Sequence, residues 1–118
     1  MYELGVAQEL YCESRTRADE MGARELQLVR VAVGELSGVN PELLQFGWKF
    51  ATSESADENC RLEIVNTAAR EVCPQCGAVP QPQVYPIQCE RCRCHMRVER
   101  GDRVEILHIG FENEVAMR

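Results

Sequence analysis

The chain has 118 residues, 45% of them hydrophobic, and a formal net charge of −6 from 13 basic and 19 acidic side chains. That is apolar material for one ordinary domain core, and the acidic balance argues against a nucleic-acid partner, because phosphate binding needs a basic surface. No apolar run approaches the roughly 20 residues that span a bilayer, which argues against a membrane role. The start Met1-Tyr2-Glu3-Leu4 lacks the basic and long apolar regions of a signal peptide. Seven cysteines without an export signal point to the reducing cytoplasm, where thiols bind metal or stay free.

In chain order, residues 4–21 are expected to form a helix. Leu4, Ala7, Tyr11, Ser14, Ala18 and Met21 recur at three-four spacing, with Val6 and Leu10 widening the stripe. Gly22 follows where a left-handed cap needs a residue without Cβ, and Cys12 reads as a small buried hydrophobe. Leu26, Leu28, Val29, Val31 and Val33 predict a strand over 25–33, covered on at least one face. The stretch Gly34-Glu35-Leu36-Ser37-Gly38 reads as a turn-rich connection, with Glu35 a solvated turn carboxylate. Asn40 as cap, Pro41 at the first helical position and Glu42 in the first turn predict a second helix to about Thr52. Trp48 and Phe50 are expected in its core.

Residues 53–59 read as a polar loop. Residues 60–66 read as a second strand with Leu62 and Ile64 on one face, and Cys60 is expected to be buried. Residues 103–112 return to strand pattern through Val104, Ile106, Leu107, Ile109 and Phe111. His108 within them is read as packed or hydrogen-bonded.

The strongest signal is Cys73-x2-Cys76 followed by Cys89-x2-Cys92. Four thiolates so spaced can close a tetrahedron around one Zn²⁺ with Zn–S bonds of about 2.3 Å. No coordination position then stays open, which suits structure or regulation better than hydrolysis. A redox dithiol would need only one such pair, beside a βαβ pattern, which the expected element order lacks. Pro80, Pro82 and Pro86 stiffen the spacer and exclude a long helix there. Cys94-His95, just beyond the second pair, offers an auxiliary thiolate and imidazole; the plainer reading is a spare thiol and a surface histidine.

These elements predict an α+β fold: a three-stranded sheet with two helices, residues 1–70 with 99–118, interrupted by an inserted four-cysteine zinc-ribbon-like module, residues 71–98. No Ser/His/Asp set or phosphate loop is present, so the chain is read as a non-enzyme. Arg91, Arg93 and Arg97 against Glu90 leave the zinc segment mildly basic, which keeps alive an alternative as a zinc-ribbon protein- or RNA-interaction module with no other metal role.

Three stretches carry a resemblance across nearly the whole chain: Met1-Tyr2-Glu3-Leu4 followed by Val6-Ala7-Gln8; Val33-Gly34-Glu35-Leu36-Ser37-Gly38-Val39 followed by Pro41-Glu42; and the two cysteine pairs. Together they resemble the HypA/HybF family of hydrogenase nickel-insertion accessory proteins. The resemblance implies a small cytoplasmic metallochaperone with a nickel-binding α/β domain and a structural Zn²⁺ domain. It would deliver Ni²⁺, a transient cargo, by ligand exchange to the large subunit of nickel–iron hydrogenase, working with the nickel-binding GTPase HypB; some relatives also serve urease. A homodimer is left open. The family's nickel site begins Met-His-Glu, so the corresponding residues here are Met1, Tyr2 and Glu3. Tyr2 departs from that pattern, because its phenol oxygen sits too far along the side chain to form the same compact chelate. Weaker nickel binding is expected, or nickel held elsewhere, or another cargo.

Overall fold

A computed structural model describes residues 2–112. In chain order it contains α1 (Tyr2–Glu20), β1 (Glu25–Gly34), α2 (Pro41–Thr52), β2 (Arg61–Thr67), β3 (Arg70–Val72), β4 (Arg97–Arg100) and β5 (Val104–Glu112).

The first helix begins two residues earlier than its apolar pattern predicts. Its buried residues are Glu3, Ala7, Leu10, Ser14 and Ala18; the last four lie in the expected stripe, whereas Glu3 was not expected and Met21 is exposed. Cys12, expected to be buried, lies on the solvent face. Small residues at Ala7 and Ala18 let the helix approach its neighbours closely. Gly22 ends the helix at φ 73°. The Ala23 N–H donates to Ala18 O at 2.9 Å and the Gly22 N–H to Asp19 O at 3.1 Å, the paired bonds of a Schellman cap.

The main sheet has the order β2-β1-β5. β1 pairs in parallel with β2 across α2, so these three elements form a βαβ unit that the linear pattern did not reveal. On its other side β1 pairs antiparallel with β5. Val29, Val31 and Val33 of β1 join Leu44, Trp48, Leu62, Ala7 and Leu10 in one buried cluster. Trp48 is buried and its indole N–H donates to Cys60 O at 3.0 Å. Tyr11 meets its ring edge-on at 5.8 Å between centroids. Cys60 is buried as expected, and burial pushes its thiol up to about 11. Phe50 is not core: it is 61% exposed. His108 faces solvent opposite Arg30, whose guanidinium pairs with Glu63 at 2.6 Å.

Asp57, 1% exposed, holds the 53–59 loop to the core. Its carboxylate accepts from the Leu26 N–H at 2.8 Å, the Tyr11 hydroxyl at 2.7 Å, and Arg15 at 2.9 and 3.0 Å. Burial raises its pKa, but these donors outweigh that effect and hold it below the usual carboxylate range.

A second, two-stranded sheet pairs β3 with β4 antiparallel. It carries the four-cysteine segment and crosses both expected seams, since β3 begins at Arg70 and β4 ends at Arg100. Where the two sheets meet, backbone crosses backbone. A Cβ on Gly34 would stand 2.3 Å from Gly101 O, and one on Gly101, itself at φ 86°, would stand 2.4 Å from Ala69 Cα. Both positions therefore demand glycine.

Candidate metal centre and N-terminal segment

The Sγ atoms of Cys73, Cys76, Cys89 and Cys92 all lie within 4.8 Å of one another. Two similar turns bring them together. In the first, the Cys73 N–H donates to Ala78 O and the Gly77 N–H to Cys73 O, both at 2.9 Å. In the second, the Cys89 N–H donates to Cys94 O at 2.8 Å and the Arg93 N–H to Cys89 O at 2.9 Å. The β3–β4 pairing then sets the two turns face to face. Sulfur separations are 3.2 Å for Cys73–Cys92, 3.7 Å for Cys76–Cys89 and 3.9 Å for Cys76–Cys92. A tetrahedron with bonds of about 2.3 Å has edges of about 3.8 Å, so the donor set fits a structural Zn²⁺.

The thiols are not equivalent. The Cys76 N–H favours the Cys73 thiolate and brings its pKa down to about 6. The Cys92 and Arg91 N–H groups likewise lower Cys89. In Cys76 and Cys92 the Ala78 and Cys94 N–H groups also favour the thiolate. There, hydrogen bonding to the sulfur of Cys73 and burial outweigh them, and both pKa values rise. Backbone donors thus prepare one cysteine of each pair as a thiolate, the form a metal binds.

Cys94 and His95 do not join the four sulfurs. The Cys94 thiol donates to Gln75 Oε1 at 2.5 Å, and its carbonyl closes the second turn. His95 is exposed and bridges Gln88 through the backbone. Both turns need a left-handed residue after the second cysteine: Gly77 takes φ 75° in the first and Arg93 φ 66° in the second.

At the other end of the chain, Met1 lies outside the described residues. Tyr2 is 63% exposed and opens α1. It lines a hollow of about 320 Å³ with Val6, Glu9, Ser37 and Arg103. Glu3 is 7% exposed and turned inward; its Oε2 accepts the Asn40 N–H at 2.9 Å. Asn40 in turn accepts from Glu42 and Leu43 N–H as the cap of α2. Glu3 therefore joins the start of α1 to the start of α2, a role its place beside Tyr2 did not suggest.

Glu35 is likewise more than a solvated turn residue. Its Oε1 accepts the Tyr85 hydroxyl at 2.5 Å and the Ala69 N–H at 3.0 Å, and these donors lower its pKa. One carboxylate thus ties the turn after β1 to the spacer between the cysteine pairs. No sequence signal joins Glu35 to Tyr85, fifty residues away.

A four-thiolate module on an α/β unit with an exposed helix start defines a small metal-handling protein whose zinc site is built for structure. No described helix is long and apolar enough to cross a membrane. The HypA family, described as "Hydrogenase/urease nickel incorporation, metallochaperone", matches residues 1–111, and the chain belongs to it. A hydrogenase maturation factor HypA from Methanocella arvoryzae is 35% identical over 102 residues, covering 86% of this chain and 89% of that protein. One from Nitrosospira multiformis is 28% identical over 110 residues, covering 92% and 96%. The solution structure of the nickel metallochaperone HypA from Helicobacter pylori superposes with a TM-score of 0.74 at 23% identity, over 95% of this chain and 98% of that one. That likeness establishes the shared fold.

Proposed function

We infer that the chain, as a member of this family, acts as a nickel-incorporation metallochaperone in hydrogenase maturation. We propose that its cargo Ni²⁺ is bound at the start of α1, by the Met1 amine and the first backbone amides, and passed by ligand exchange to partner proteins. The observation that carries this reading is the division of labour in the molecule: the four thiolates are used up in a closed cluster, while the exposed start of α1 holds amides without intrahelical acceptors. Square-planar nitrogen coordination suits Ni²⁺. Parallel first-turn N–H groups cannot supply it, so loading requires residues 2 and 3 to leave the helix, and that frees Glu3 from Asn40. The Tyr2 phenol supplies no imidazole, and the bound ion is held weakly enough to be surrendered.

The partners proposed are the GTPase HypB and the hydrogenase large subunit, with the whole cycle in the cytoplasm and no catalytic step on this chain. The units proposed are residues 1–70 with 99–118 for cargo and 71–98 for zinc and partner orientation.

The test is calorimetric Ni²⁺ titration of the zinc-loaded protein with an authentic N-terminus, beside a Tyr2→His variant. One ion per unmodified chain is expected, with the variant at least about tenfold tighter, and the Asn40 amide signal should shift on loading. Binding by neither protein would sink the N-terminal site.

A further inference from the structure

The four-cysteine module meets the α/β unit at the seam where Gly34 and Gly101 cross. There the Gly34, Glu35 and Leu36 N–H groups donate to Arg103 O at 3.0 Å, Thr67 O at 2.9 Å and Gly101 O at 2.8 Å. Past that seam the module is carried by β3 and β4, three and four residues long. A two-stranded ladder so short is pliant, and by itself it would let the module swing about the seam. The spacer between the cysteine pairs supplies a restraint. It folds back on itself: the Val84 N–H donates to Gln81 O at 3.1 Å, and Gln83 takes the left-handed region at φ 66°. A glutamine adopts that φ only where its surroundings demand it, and here the turn returns Tyr85 to Glu35. Pro80, Pro82 and Pro86 stiffen the arm on both sides of the tyrosine, so holding one hydroxyl holds the whole arm.

We propose that Glu35 is a latch: through Tyr85 it sets the orientation of the four-cysteine module on the α/β unit, and release of that one hydrogen bond lets the module swing about the seam with both units still folded. Two donors reach Glu35 Oε1, the Ala69 N–H from the seam at 3.0 Å and the Tyr85 hydroxyl from the arm at 2.5 Å. Bonds to a carboxylate are the stronger kind, which gives the latch its grip. Glu35 is exposed and Tyr85 half-buried, so water competes for both groups and the latch opens without unfolding either unit. The phenol stays a donor: by accepting from it Glu35 raises its pKa, and desolvation and the charges of Glu35 and Glu71 act the same way. The inference concerns geometry alone and stands wherever nickel binds.

Backbone residual dipolar couplings of the zinc-loaded full chain test it, with Tyr85→Phe, Glu35→Ala and Glu35→Gln beside the unmodified protein. In the unmodified chain a single alignment should fit β1, α2 and residues 73–96 together. Tyr85→Phe deletes only the hydroxyl. It should leave the couplings of β1 and α2 as they were and shrink those of residues 73–96 by about a third or more, as the module averages over orientations. Glu35→Ala should do the same. Glu35→Gln keeps an acceptor oxygen and should retain most of the original alignment, a rescue that general loss of structure would not give. Zinc content and chelator competition should be unchanged throughout, because no cysteine is touched. Separate alignments of the two units in the unmodified chain overturn the proposal. So do Tyr85→Phe couplings identical to the original, and so does zinc loss in Tyr85→Phe, which would make the bond a support of the cysteine site rather than of its orientation.

Discussion

Along β1, Val29, Val31 and Val33 are buried against Leu44, Trp48 and Leu62. Between Cys73 and Met96, by contrast, the only buried residues are Cys73 and Cys89. The α/β unit is held by apolar area removed from water, and the cysteine segment by four sulfurs and a two-stranded ladder. The contrast shows how a segment too small for a core of its own can still be ordered, once metal binding supplies its folding free energy.

The largest effect expected follows directly. Metal binding contributes about 10–16 kcal/mol in comparable zinc peptides. Chelation or Cys73→Ser should therefore disorder residues 73–96 while leaving the α/β unit folded, and NMR spectra should lose the module's amides and keep those of β1 and α2. Joint collapse of both regions would erase the distinction.

Asp57 probes the other side of the comparison. Asp57→Ala leaves the Leu26 N–H without its acceptor and strips Arg15 of its buried carboxylate, leaving it Asp19 and the carbonyls of Ala23 and Arg24, and should cost about 2–4 kcal/mol in urea unfolding, with zinc retained. The same carboxylate gives the α/β unit a pH dependence. Its folded-state pKa is depressed, so its contribution is complete above the unfolded value of about 3.9 and is lost as pH falls through the folded value. Asp57→Ala should flatten the acid limb of the stability curve below about pH 4.

Gly34→Ala acts at the crossing of the two regions. A Cβ there meets backbone rather than a movable side chain, so a loss of about 1–3 kcal/mol is expected. The damage should appear in the amide exchange of Leu36, whose N–H donates to Gly101 O at the crossing. The smallest effect belongs to the second cysteine turn. Arg93→Gly relieves a left-handed conformation and should tighten zinc about two- to fivefold in a chelator competition, whereas Gly77→Arg should weaken it.

Several elements were legible from local chemistry alone. Asn40-Pro41-Glu42 encodes a helix start through side-chain and ring geometry within three residues, and it is found at α2. Gly22 marks the end of α1 for the same reason, and the cysteine spacing marks a four-sulfur cluster because each pair closes its own turn. Residues whose roles depend on distant partners were not legible. Phe50 reads as core because helical periodicity cannot say which of two apolar faces meets the sheet. Cys12 and His108 face solvent for a related reason.

By itself, then, the sequence determined the two helices, the three strands of the main sheet, the pairing of the four clustered cysteines and the resemblance to nickel-insertion proteins, but not the β3–β4 ladder, since caps, turns and paired cysteines are short-range physics. Tertiary structure alone decided that β1 and β2 run parallel and that Glu3 caps the approach to α2. It also decided that Glu35 reaches Tyr85 and that Phe46 and Phe50 stand in water. Each of these depends on which surfaces meet when separate elements pack, and no local pattern carries that information.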